Sequence, residues 1–281
     1  MHSDSYFSIG SSHNVCQDYA MTGRTLSGKA YALVSDGCSG SANSDFGSRL
    51  LCRAAHPYLC LGGNAQLQFQ KVAVQANQMR IALGLSNVAL DATLLCAVEV
   101  DGGVQVSAAG DGLIVGRKKN GEFSTHLIDF HHGYPAYPSY TLDEIRLNLF
   151  LEATGTGSSG VRGVYQDDRA AIQHDFFQTQ VTEINEPTAS EGIRFNPYQA
   201  FFPSDTYDMV AIFSDGITSF QSKETGSYIP VPIPLLLEEL LDFKSMAGEF
   251  VVRRVKKFLQ RTCTENRWSH SDDFSMAVVV L

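Results

Sequence analysis

Asp36, Asp111 and Asp215 each stand in an Asp-Gly pair at or near the end of an apolar run, and Asp272-Asp273 opens the last such run of the chain. The runs are Tyr31 to Ser35, Val104 to Gly110, Met209 to Ser214 and Phe274 to Leu281, all rich in the β-branched and aromatic residues that favour strands. Carboxylates at such strand ends can converge from distant parts of a chain onto one edge of a sheet. An all-oxygen set of this kind suits hard divalent cations such as Mg²⁺ and Mn²⁺. A Zn²⁺ site would recruit His or Cys at short spacing, which this chain lacks.

The competing reading is a set of turns. Asp-Gly is among the commonest hairpin turns, because both residues tolerate positive φ, and Asp101-Gly102, between two short alternating segments, is read as such a turn. Each of the other three pairs, taken alone, is as well read that way. Their flanks change the balance: Ser35-Asp36-Gly37-Cys38, Ala109-Gly110-Asp111-Gly112, Phe213-Ser214-Asp215-Gly216 and Asp272-Asp273-Phe274-Ser275 follow one another in that order.

With Cys16-Gln17-Asp18 ahead of them, these motifs resemble the metal-dependent serine/threonine protein phosphatases of type 2C over most of the chain. Each is weak singly; their shared order carries the resemblance. A bacterial branch is most similar, through Gly10-Ser11-Ser12-His13 and Cys16-Gln17-Asp18. The resemblance implies hydrolysis of phosphoserine or phosphothreonine in a protein substrate, by a water bridging two Mn²⁺ or Mg²⁺ ions, within a cognate kinase system. It implies that Asp36 bridges both ions and that Asp215 and Asp272 complete the first. The Gly37 carbonyl would bind the second with Asp18 acting through water, and Asp111 would hold a third, weaker ion. Asp273 would then be a neighbour held by backbone contacts, although the reverse assignment of Asp272 and Asp273 stays open.

Three positions depart from the family pattern. His13 stands where many members carry an Arg for the substrate phosphate, and it lacks that residue's two-pronged geometry. His13 is expected on the phosphate side of the site, against the plainer reading of a loop histidine. Cys38 replaces a frequent His, so a general acid is missing there, and Ser219 replaces a frequent Asp, which bears on the third ion.

Composition agrees with one enzyme domain spanning residues 1–281. The chain has 44% hydrophobic residues, enough for a substantial core. A net charge of -9 argues against nucleic acid as a partner. No apolar stretch approaches the roughly 20 residues of a membrane span, and no signal-peptide pattern opens the sequence, so a cytoplasmic protein with reduced cysteines is expected. The basic run Arg253, Arg254, Lys256 and Lys257 reads as a solvated helix face.

The elements that must position these acids are legible as follows. Asp18 to Met21 and Lys29 to Ser35 read as strands. A helix follows Asn43 or Ser44 with Phe46, Leu50, Leu51, Ala54 and Leu59 on its apolar face. A second runs from about Ala65 to Leu83 with Leu67, Val72, Val74, Ala76, Met79 and Leu83 inward. Ala92 to Val100, Val104 to Ala109, Leu113 to Arg117 and Phe123 to Asp129 read as hairpin-linked strands. From about 130 to 205 the pattern degrades to a loop-rich, variable flap with one helical stretch, Leu142 to Leu151. A strand at Met209 to Phe213, helices near Ile233 to Leu241 and Met246 to Cys263, and the final strand complete an α+β, four-layer sandwich of two antiparallel sheets flanked by helices, as in the family. Two other functions are weighed. A catalytically silent relative kept as a binding module would typically have lost metal carboxylates, and Asp36, Asp215 and Asp272 are present. A haloacid-dehalogenase-type phosphohydrolase needs Asp-x-Asp, which Asp36-Gly37-Cys38 does not supply.

Overall fold

The computed structural model describes residues 2–61, 67–130, 133–154, 158–163, 171–180, 192–224 and 227–281. The N-terminal half contains β1 (His2–Ser8), β2 (Tyr19–Arg24), β3 (Ala30–Ser35), α1 (Ser44–Leu61), α2 (Phe69–Ala82), β4 (Leu94–Val100), β5 (Gly103–Ala109), β6 (Gly112–Lys118) and β7 (Phe123–Asp129). Next come α3 (Glu144–Thr154), β8 (Ser158–Gly163), β9 (Ala171–Asp175), β10 (Phe177–Gln180), β11 (Gly192–Phe195) and β12 (Tyr198–Pro203). The remainder is β13 (Tyr207–Phe213), β14 (Phe220–Glu224), β15 (Ser227–Pro230), α4 (Ile233–Leu241), α5 (Phe250–Lys257), β16 (Trp268–His270) and β17 (Phe274–Val280).

Two large sheets form the frame, in the orders β1-β17-β13-β6-β7-β8-β9 and β12-β5-β4-β3-β2, with every pair antiparallel. Strand period decides which layer each residue joins. On β13, Val210 and Ile212 face the core shared with the smaller sheet, while Met209, Ala211 and Phe213 face a second core beneath α4 and α5. β17 divides likewise, Ala277 and Val279 against Phe274, Met276 and Val278. Both faces of these strands are therefore apolar, which is why their sequences read as continuous hydrophobic runs. On the far side, Leu51, Ala55 and Leu59 of α1 and Val72 and Ala76 of α2 pack with Tyr31, Leu33 and Ala97. Helix, sheet, sheet, helix is the resulting order of layers.

Several expected boundaries shift. α2 buries Phe69, Val72, Ala73 and Ala76, an i, i+3, i+4, i+7 stripe, whereas Val74 and Leu83 are 45% and 57% exposed. The expected start at Ala65 lies outside the described residues. Phe46, expected inward on α1, is 45% exposed, because Gly47 and Ser48 occupy the close contact instead. The last helix begins at Phe250 rather than Met246; its first amides, Val251 and Val252, donate to the Asp4 carboxylate of β1 at 2.7 and 3.2 Å, a cap supplied from across the fold. It then passes through a π-helical stretch, Phe258–Thr262, into a short helix ending at Arg267 in the left-handed region. The 130–205 segment is richer in strands than expected: β8 and β9 lengthen one large sheet and β12 edges the other, their pairing carried by backbone bonds that leave little side-chain signature. β1 and the small sheet β15-β14-β16 were also not expected. The six cysteines are unpaired, and no described helix is long and apolar enough to cross a membrane.

Candidate metal centre

Asp36 leaves the end of β3 held on both backbone sides by one residue. Its N–H donates to Thr93 Oγ1 at 3.0 Å and its carbonyl accepts from Thr93 N at 2.8 Å. Gly37 follows in a cramped turn, its N–H donating to the Gln17 carbonyl at 3.2 Å; a Cβ there would lie 2.5 Å from the Ser44 carbonyl oxygen. Asp18, at the start of β2, is wholly buried, and its Oδ2 accepts from Ser214 Oγ at 2.6 Å. Asp215 follows β13 and opens a 3₁₀ turn, Asp215–Ser219. Asp111 sits in the β5–β6 turn between Gly110 (φ 88°) and Gly112 (φ 139°), conformations that glycine adopts freely.

The final acidic pair divides its labour. Asp273 is buried, its Oδ1 accepting from Gly10 N at 2.7 Å and its Oδ2 from Gln17 N at 2.6 Å. Asp272 has a side chain 43% exposed, with Oδ1 accepting from Asp273 N at 2.8 Å. Ser219 accepts a hydrogen bond from Asp272 N at 3.2 Å and donates to the Gly216 carbonyl at 2.8 Å, so it braces the backbone that carries Asp272. His13 lies between the pair: Nδ1 is 3.0 Å from Asp273 Oδ2, close but poorly aligned as a hydrogen bond, and Nε2 is 3.6 Å from Asp272 Oδ1.

Asp36 lies beside both Asp18 and Asp215. Burial raises its pKa well above the usual carboxylate range, and the charges of Asp18 and Asp215 add to the rise. Burial lifts Asp18 to about 7, opposed by the neighbouring Asp36 carboxyl and by the bond from Ser214. Asp111 is raised by burial and then by Asp215, with Asp129 and Asp272 contributing; Asp215 is raised by burial, then by Asp272 and Asp129, against the lowering effect of the neighbouring Asp36 carboxyl. Like charges out of water cannot all ionise together. His13 moves the same way: burial lowers it, but Asp273, Asp272 and Asp18 raise it on balance.

Asp18 Oδ1 and Asp215 Oδ1 are buried with no hydrogen-bond partner, an arrangement that costs free energy unless a cation satisfies them. The donor set is all oxygen, as Mg²⁺ and Mn²⁺ prefer. Among the described residues no three His, Cys, Asp or Glu side chains surround one common point in ligand geometry. The chemistry of the donors and the orphaned oxygens nonetheless fit a divalent cation.

The structure thus brings Asp18, Asp36, Asp111, Asp215 and Asp272 to one edge, with Gly37 beside Asp36 and His13 behind Asp272. Two neighbours escape a reading of motifs. Asp129 closes β7 opposite Asp111, since Gly112 pairs with Ile128; counting back across the Asn120-Gly121 turn would have found it. Tyr137 is buried beside Cys38, and burial, with Cys38, Asp111 and Asp36 nearby, pushes its pKa up. No pattern in the degraded 130–205 segment signals it.

Residues 9–144 match the sequence profile of the family described as Protein phosphatase 2C. No curated protein matches the chain. Among solved structures, a bacterial serine phosphatase aligns at 11% identity over 100% of this chain and 97% of its own, with a TM-score of 0.56. The serine/threonine phosphatase Stp1 from Staphylococcus aureus aligns at 12% identity, 99% and 94% coverage and a TM-score of 0.55. The catalytic domain of the serine/threonine protein phosphatase PstP, in complex with two manganese ions, aligns at 15% identity, 99% and 96% coverage and a TM-score of 0.52.

Proposed function

We propose, for a chain that resembles the type 2C protein phosphatases in sequence over residues 9–144 and in fold throughout, that it hydrolyses phosphoserine and phosphothreonine in proteins with two Mn²⁺ or Mg²⁺ ions. The observation that carries this reading is the Asp18–Asp36–Asp215 cluster with its two orphaned buried oxygens. Divalent cations held there would supply a water activated near neutral pH and would neutralise phosphoryl charge.

The chain's own groups take distinct parts. Asp36, Asp215 and Asp272 with the Gly37 carbonyl would be ligands, Asp18 would act from the buried floor, and Asp111 would serve a third, weaker ion with Asp129 alongside. Thr93, Ser214 and Ser219 orient these acids through the bonds described above. His13 has both ring nitrogens turned to carboxylates, which supports a part in holding Asp272 in place more than a direct grip on substrate phosphate. The 130–205 segment would be the flap that meets the phosphoprotein, and a cognate kinase would supply the phosphorylated substrate. The test is hydrolysis of a phosphoserine peptide in excess EDTA, then with Mn²⁺ or Mg²⁺ restored. Turnover should vanish and return; full turnover in EDTA would remove the two-metal reading.

A further inference from the structure

Asp91 sits at the end of a 3₁₀ turn, Asn87–Leu90, and neither it nor its partners belong to the acid cluster. Residues 91–93 run alongside residues 36–38 as a backbone splint. The Asp91 carbonyl accepts from Cys38 N at 2.8 Å, Ala92 forms an isolated bridge with Gly37, and Thr93 holds Asp36 from both sides. The Asp91 side chain, 7% exposed, gathers donors from two separate regions. Ser41 Oγ, from the loop after Asp36, donates to Oδ2 at 2.9 Å. From the 138–146 segment, Ser139 Oγ donates to Oδ1 at 3.0 Å and Arg146 Nη2 donates to the same oxygen at 2.6 Å.

Arg146 is itself tightly placed. Its guanidinium lies over the Tyr140 ring at 5.1 Å, and its backbone N–H donates to Asp143 Oδ1 at 3.2 Å, whose other oxygen accepts from Asn87 Nδ2 at 3.3 Å. A buried carboxylate with three side-chain donors is fully satisfied, and removing one charged partner leaves the other stranded. These groups therefore form one unit whose two ends are the base of α3 and the loop that carries Asp36 and Gly37.

We propose that Asp91, Ser139 and Arg146 are positioning residues: they lock the 138–146 segment to the Asp36–Ser41 loop, so that a change in one is felt in the other. The proposal rests on the metal-centre reading above only where cation affinity is concerned. Two sites are coupled when a perturbation at one alters the free energy of the other, and groups standing behind the ligands typically change metal affinity when removed. Arg146 touches no candidate ligand, and its hydrogen-bonded link to the Asp36 loop runs through Asp91.

The test uses Arg146→Met, Arg146→Lys and the charge-neutral double variant Asp91→Asn/Arg146→Met, which keeps the experiment informative should the single Met variant fold poorly. In the metal-free protein, hydrogen exchange at Cys38 and its neighbours through Ser41 should be about tenfold faster in Arg146→Met and in the double variant. Arg146→Lys, which keeps the charge, should recover most of the protection. In calorimetric titration with Mn²⁺ alone, the dissociation constant should rise about tenfold with Met and much less with Lys. Faster exchange confined to residues 138–154, with the Cys38 amide unaffected, overturns the coupling. Unchanged Mn²⁺ affinity beside an altered Cys38 amide overturns its link to the cation site. A wild-type protein that binds no Mn²⁺ strikes down the metal-centre reading instead, and the exchange result still decides the coupling.

Discussion

At the scale of residues, the proposed function rests on acids that repel one another. Asp36→Asn should lower metal-dependent phosphopeptide hydrolysis by about 10³-fold or more, as losses at central catalytic groups do. It should leave the metal-free protein folded and at least as stable, because an amide relieves the crowding of Asp18 and Asp215. Activity assays and thermal melts in EDTA check both halves. His13→Ala should cost about 10- to 100-fold, and equally on a phosphopeptide and on p-nitrophenyl phosphate, if its part is to steady Asp272. A loss confined to the substrate with the poorer leaving group would instead make His13 a proton donor. Sequence made Asp36, Asp111, Asp215 and the Asp272-Asp273 pair legible because each follows or precedes an apolar strand. Asp129 and Tyr137 were hidden for different reasons: the first depends on cross-strand register, the second on a tertiary contact with Cys38.

At the scale of elements, the turn after β13 and the loop before β17 are pressed together. A Cβ on Gly216 would lie 1.7 Å from the Asp273 carbonyl oxygen, so Gly216→Ala must push the two apart. We expect a loss of about 1–3 kcal/mol in urea unfolding, as overpacking typically gives, together with a larger fall in activity than in stability, since Asp215 and Asp272 flank the contact. Retained activity in a stable variant would show that their spacing is not critical. Strands β3, β6, β7, β13 and β17 were readable because both faces or one face are buried in regular alternation. β14 and β15 were not, since Gln221, Ser222, Lys223 and the exposed residues of β15 carry no such alternation. The last helix starts later than its periodicity predicts because its N-terminus is fixed by Asp4, some 247 positions away in sequence, rather than by a local cap.

At the scale of the whole molecule, the buried acids set how stability answers to pH. Asp18, Asp36, Asp111 and Asp215 all have raised pKa values in the fold, so over the window between unfolded and folded values the folded chain holds more protons. Stability then falls as pH rises, and for Asp18 the window runs from 3.8 to about 7. His13, also raised, adds stability at low pH that is lost as pH climbs through its folded value. Each such proton contributes about 1.4 kcal/mol per pH unit within its window. Melts in EDTA from pH 4.5 to 8 should therefore decline, and Mn²⁺ at a hundred times its dissociation constant should restore about 2.7 kcal/mol at neutral pH. A metal-free protein that grows more stable toward pH 8 would contradict this account.

The pairing of β1 with β17 sets His2 opposite Val280 and Ser8 opposite Phe274, with Gly10 bonded to Asp273 just beyond. Residues 2 and 280 thus lie side by side, on the strand pair that delivers Asp272. A short linker could join them into a ring, and the ring could be reopened at the exposed Asn120-Gly121 turn without cutting a strand. Such a circular permutant would visit the acidic positions in a different sequence yet assemble the same edge of carboxylates. The centre depends on which strands are neighbours, and the order in which the ribosome makes them is incidental.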